Sequence, residues 1–96
     1  MTDKNKYGTE LYKLQAPMVH LNGTARQVLA GDLEQAMKAL REAEDFLQVT
    51  SPHGRDYYPL GPDALKTATE QHLDRLARLE SVRAELSELY CKVVGL

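Results

Sequence analysis

Two short segments hold residue types that a plain helical protein does not need. The first is Pro52-His53-Gly54-Arg55-Asp56-Tyr57-Tyr58-Pro59. It gathers a histidine, an arginine, an aspartate and two tyrosines. Together these offer a planar donor fork for phosphate or carboxylate, two stacking faces and further hydrogen-bonding groups. Such a set suits a small anionic, nucleotide-like ligand, with Arg55 on phosphate, Tyr57 and Tyr58 against a base, and His53 and Asp56 as polar contacts. A structural account is also open: both tyrosines close the end of a hydrophobic seam, and Arg55 and Asp56 satisfy loop carbonyls and N–H groups.

The second segment is Val19-His20-Leu21-Asn22-Gly23-Thr24, ahead of an expected helix whose free N–H groups and dipole favour an anion. A turn at Asn22-Gly23 and a cap at Thr24 explain three of these residues without a ligand. They leave His20 unexplained, so His20, Asn22 and Thr24 stand as candidate polar contacts. His72 is a third candidate. It occupies a place in an apolar helical stripe where leucine is expected, so it is either a hydrogen-bonded register device or a ligand contact.

Other chemistry finds little footing. His20, His53 and His72 lack the i, i+4 pairing of a metal-binding helix, so no metal site is assigned. Ser51, Ser81 and Ser87 have no companion pattern for nucleophilic catalysis, and the chain carries no complete cofactor motif. No catalytic residue and no cofactor are assigned. Nucleotide processing through His53 or His20 is kept only as the remotest alternative.

The elements that must position these residues are helical. Thr24 and Gln27 have the spacing of a capping box, and Leu29, Leu33, Ala36, Leu40, Ala43 and Leu47 then recur at alternating spacings of four and three. This predicts a helix over about 24–49. Gly31 interrupts it, and Asp32 with Gln35 provides a second possible start; a continuous helix is favoured. The breakers between Thr50 and Pro62 predict a connecting loop over 50–61. With Gly61 as cap and Pro62 in the first helical position, a second helix follows over about 62–94. Its stripe is Leu65, Ala68, His72, Leu76, Leu79, Val82, Leu86, Leu89 and Val93, and Gly95 ends it. Residues 1–23 form an N-terminal arm, with a short helix or turn around Thr9 to Leu14 before an extended stretch at Pro17. The expected fold is all-α: a long antiparallel helical hairpin, residues 24–96, preceded by a short arm. The second helix is the longer, and its last turns are expected to overhang the first.

Ninety-six residues make at most one domain with a thin core, so assembly of an even number of copies into a helical bundle is expected on energetic grounds. A net charge of −2 without a Lys/Arg cluster argues against a duplex nucleic-acid partner. A polar N-terminal stretch and the absence of any long apolar run argue against a membrane partner and for a cytoplasmic location. The single Cys91 fits a reducing compartment.

His20-Leu21-Asn22-Gly23-Thr24, followed by a helix and then Pro52-His53-Gly54-Arg55-Asp56-Tyr57-Tyr58, resembles a group of uncharacterised small helical proteins of phage and prophage genomes. The likeness spans Val19 to Tyr90. It implies a genomic setting, and with it a host cytoplasm, rather than an activity. Small helical phage oligomers include proteins that capture host immune nucleotide signals between subunits and inhibitors that act by protein contact.

In a simple hairpin the His20–Thr24 segment and the Arg55 loop lie at opposite ends, more than about 30 Å apart. Two hairpins packed head to tail would bring one copy's loop to the other's arm. The sequence therefore points to a non-enzymatic binding protein that holds a small anionic, nucleotide-like ligand between subunits, and the resemblance to phage proteins suggests a host immune signal as that ligand. A protein–protein module, either an anti-defence inhibitor or a virion assembly adaptor, is the alternative.

Overall fold

The computed structural model describes residues 14–95, and all regular structure among them is helical. Helix α1 spans Arg26–Gln48, α2 is the single turn Gly54–Tyr57, a 3-10 turn covers Tyr58–Leu60, and α3 spans Ala64–Val94. The short helix or turn expected around Thr9 to Leu14 falls almost wholly outside the described residues. From Leu14 to His20 the arm has no regular structure.

Helices α1 and α3 lie antiparallel. Three polar contacts fix their register: Arg26 Nε donates to the Val93 carbonyl (3.1 Å), Arg83 pairs with Glu44, and Ser51 Oγ meets His72 Nε2 (3.1 Å). The seam keeps Leu33, Leu40, Leu47, His72, Leu76, Leu79, Leu86 and Val93 of the expected stripes and departs from them by one residue at the positions between. On α1 the inward line is Ala30, Leu33, Met37, Leu40, Glu44 and Leu47, whereas Ala36 and Ala43 are exposed. On α3 it is His72, Leu76, Leu79, Arg83, Leu86, Tyr90 and Val93, while Val82 is 45 % exposed. Both lines keep the three–four spacing of a helix–helix seam. The expected stripes failed at Glu44 and Arg83, because two charged residues can enter a seam when each satisfies the other.

Helix starts also differ from expectation. Ala25 is the N-cap of α1 and no side-chain cap is made, so the Thr24–Gln27 capping box does not form. Gly31 lies within α1 without breaking it. Helix α3 begins two residues later than expected, at Ala64 with Asp63 as N-cap, and Pro62 belongs to the preceding turn. At the other end Gly95 adopts the left-handed conformation (φ 86°) and donates its N–H to Cys91, the glycine C-cap the sequence predicts.

The overhang lies at the opposite end from the one expected. Because Arg26 reaches the Val93 carbonyl, the last turn of α3 is level with the first turn of α1. The unmatched part of α3 is its first two turns, ahead of His72, and α2 and the 3-10 turn pack against the helix there. The bundle has little interior: Val93 is the one buried apolar residue among those described, and no side chain is fully buried. Among the described residues no helix is long and apolar enough to cross a membrane.

Candidate ligand-binding loop

The loop is built from hydrogen bonds that finish α1 and then reverse the chain. Thr50 Oγ1 donates to the Leu47 carbonyl and Ser51 Oγ to that of Gln48, each at 2.7 Å, beside the backbone N–H groups of Thr50 and Ser51 that the same two carbonyls accept. His53 is extended, the Asp56 N–H returns to the His53 carbonyl, and the Gly61 N–H closes onto Tyr58. Gly61 completes the reversal at φ 106°, a region that side chains strongly disfavour.

This scaffold leaves His53, Arg55, Asp56 and Tyr58 exposed, with Tyr58 at 77 %, and Tyr57 half-buried. Tyr57 stands between two open concavities. One, of about 490 Å³, is lined by Tyr57, Leu60, Pro62, Asp63, Thr67 and Gln71 among others; the second, of about 300 Å³, by Gly54, Tyr57, Tyr58, Pro62 and Leu65. Arg55 borders neither of them, and it forms no ion pair among the described residues. A single chain therefore presents a stacking surface and a nearby cation without enclosing a ligand between them.

The second candidate segment forms a turn closed by the Gly23 N–H donating to the His20 carbonyl (3.1 Å). The His20 ring folds over Gly23 so closely that a Cβ there would lie 2.7 Å from Nε2. The His20 ring is exposed and rests against this turn. Asn22 and Thr24 are exposed on the same turn. The length of α1, about 34 Å at 1.5 Å per residue, separates this turn from the Arg55 loop.

His72 is placed apart from both. It is 4 % exposed and bonded to Ser51 at the base of the loop. The structure thus brings together His53, Arg55, Asp56, Tyr57 and Tyr58, keeps His20, Asn22 and Thr24 at the far end, and encloses His72 in the seam.

The residues that sequence reasoning missed are charged groups of the seam. Arg83 holds the Glu44 carboxyl below the ordinary glutamate range through their direct hydrogen bonds, opposed by desolvation and aided by the Arg83 and Arg41 charges. The same pair raises Arg83. Tyr90 is pushed up by the nearby Glu34 carboxylate. The available signal was positional: Glu44 and Arg83 both fall on three–four lines that pass through apolar residues.

No family model, no curated protein and no solved structure matches this chain.

Proposed function

We propose that this protein is a non-enzymatic binding protein whose Arg55–Tyr58 loop takes a small anionic, nucleotide-like ligand. The observation that carries the reading is that the loop's chemistry is left unused by the fold. Tyr58 is too exposed to close the seam, and Arg55 and Asp56 make no side-chain hydrogen bond or ion pair among the described residues. The purely structural account of these residues required both. Tyr57 and Tyr58 line an open concavity of about 300 Å³ with two aromatic faces for stacking, and Arg55 on the same helical turn supplies positive charge. A second copy would close the site. Sequestration of a host immune nucleotide, suggested by the likeness to phage proteins, is the biological form of this reading.

The test is thermal unfolding against a panel of nucleotides and cyclic nucleotides. A ligand that binds the native state raises Tm by mass action. The expected result is a rise with at least one phosphate-bearing compound that Arg55→Ala abolishes. A flat panel, or a rise that survives Arg55→Ala, refutes the proposal.

A protein partner is the second reading, favoured by Phe46, Val49, Tyr58 and Leu60, which are 72–78 % exposed at the loop end of the hairpin. Aromatic and arginine side chains dominate protein hot spots. It predicts a stoichiometric protein complex and no nucleotide effect.

A further inference from the structure

The turn ahead of α1 sets three groups side by side in an order that can change one of them covalently. Asn22 and Gly23 are adjacent and exposed, and Leu21 beside them is 97 % exposed, so the turn stands clear of the hairpin and open to water. His20 folds back over Gly23 with Nε2 as its leading atom. A Cβ on Gly23 would lie 2.7 Å from Nε2, against 3.0 Å from Cδ2 and 3.3 Å from Cε1. The missing side chain is what admits the imidazole tip this close to the backbone of residue 23. Neither the His20 ring nor the Asn22 amide makes a side-chain hydrogen bond among the described residues.

We infer that Asn22-Gly23 is a self-modification site, at which the Asn22 side-chain amide becomes a carboxylate with His20 as the catalytic base. Attack of the Gly23 nitrogen on Asn22 Cγ closes a five-membered imide ring, and a residue 23 without a Cβ hinders that attack least. As the new C–N bond forms, His20 Nε2 takes the Gly23 N–H proton and passes it to the departing amide nitrogen. The Cγ–Nδ2 bond then breaks and ammonia leaves. Water adds to one of the two imide carbonyls and reopens the ring, so residue 22 becomes aspartate, linked either normally or through its β-carboxyl as isoaspartate. One amide and one water are consumed, and one carboxylic acid and one ammonia are formed, with no change of oxidation state. The base role needs the neutral imidazole with its proton on Nδ1, a tautomer that no other side-chain hydrogen bond opposes.

One bond must open first, because the Gly23 N–H donates to the His20 carbonyl (3.1 Å). An exposed backbone hydrogen bond adds little net stability, and a turn without a buried residue opens readily. The product changes the electrostatics of the helix start. Helix α1 has Ala25 as N-cap, no side-chain cap and no acidic residue in its first turn. A carboxylate at position 22 brings negative charge toward that N-terminus, which favours the helix and opposes any other anion at the same turn. The inference stands independently of the ligand reading, because it concerns this turn and not the Arg55 loop.

The test follows the purified full chain by peptide mapping and mass spectrometry during incubation at physiological temperature and neutral pH. Residue 22 should accumulate as aspartate and isoaspartate while Asn5, which precedes a lysine, lags behind. Gly23→Ala should slow the conversion by more than about tenfold. His20→Phe keeps a planar cover over the turn and removes the base, so it should slow conversion by at least about threefold. In His20→Ala, added imidazole should recover more of the lost rate than it adds to the wild-type protein. If the ring only shields the turn, both His20 variants convert as fast as the wild type or faster, and that result overturns the role of His20. An Asn22 that stays intact as long as Asn5 overturns the site itself.

Discussion

Arg83 meets Glu44 through two hydrogen bonds, Nε to Oε2 at 2.7 Å and Nη2 to Oε1 at 3.1 Å, inside the seam between α1 and α3. The Glu44 side chain is 10 % exposed and that of Arg83 28 %. A fork-on-carboxylate contact of this kind has one satisfactory register, because sliding either helix strands a charge in a largely dry interface. Its contribution is therefore expected to be greater to alignment than to net stability.

Mutation separates the two roles. Glu44→Ala leaves Arg83 without its carboxylate and should cost about 2 kcal/mol, below the figure for a fully buried pair because Arg83 is partly solvated. Replacing both residues, Glu44→Leu with Arg83→Met, should recover that loss or exceed it while lowering alignment specificity. Urea unfolding of the single and double variants measures the first effect. Broadened or doubled amide signals in the double variant would report the second.

Acid should act through the same pair. The folded-state pKa of Glu44 is lowered from 4.5, chiefly by its hydrogen bonds to Arg83. A carboxyl with a depressed folded pKa contributes stability that is present above its unfolded value and is lost as pH falls through the folded one. Unfolding midpoints should hold near neutrality and fall below about pH 4.5. In Glu44→Gln that acid-dependent loss should shrink, and an unchanged acid limb would assign it to other carboxylates.

How far the sequence was legible depended on which signals are local. The hairpin, the glycine C-cap at Gly95 and the breaker-rich loop follow from spacing and from residues with one dominant conformational use. The seam's exact line did not, because alternating spacings of three and four admit stripes that share their leucines and differ by one residue at the positions between. Ala36, Ala43 and Val82 outrank Glu44 and Arg83 on hydrophobicity, yet the latter pair is inside. Which stripe wins depends on a contact between residues 39 positions apart, and nothing local to either reveals it. The loop's candidate residues could be named from composition, but their being unpaired could be seen only in three dimensions.

Two glycines should respond in opposite directions. Gly31 lies within α1, and a Cβ there would meet nothing within 4 Å, so Gly31→Ala should stabilise by about 0.8 kcal/mol through helix propensity. Gly61 also has open space, yet its φ of 106° strains any side chain, so Gly61→Ala should destabilise by about 1–2 kcal/mol. Thermal melts of the two variants test both signs. A destabilised Gly31→Ala protein would refute the propensity argument.

The Ser51–His72 contact makes the last prediction specific. Ser51 Oγ lies 2.7 Å from the Gln48 carbonyl and 3.1 Å from His72 Nε2. A carbonyl can only accept, so the single hydroxyl proton goes to Gln48 and Oγ accepts from His72, which assigns the imidazole its proton at Nε2. Ser51→Ala removes both bonds and leaves a buried N–H unsatisfied, at a cost of about 1–2 kcal/mol. His72→Leu removes the donor itself while Ser51 keeps Gln48, so its cost should be below about 1 kcal/mol. If His72 is a seam anchor, His72→Leu should also leave any Arg55-dependent, ligand-induced rise in Tm in place. Loss of that rise, with stability retained, would restore His72 to the binding site.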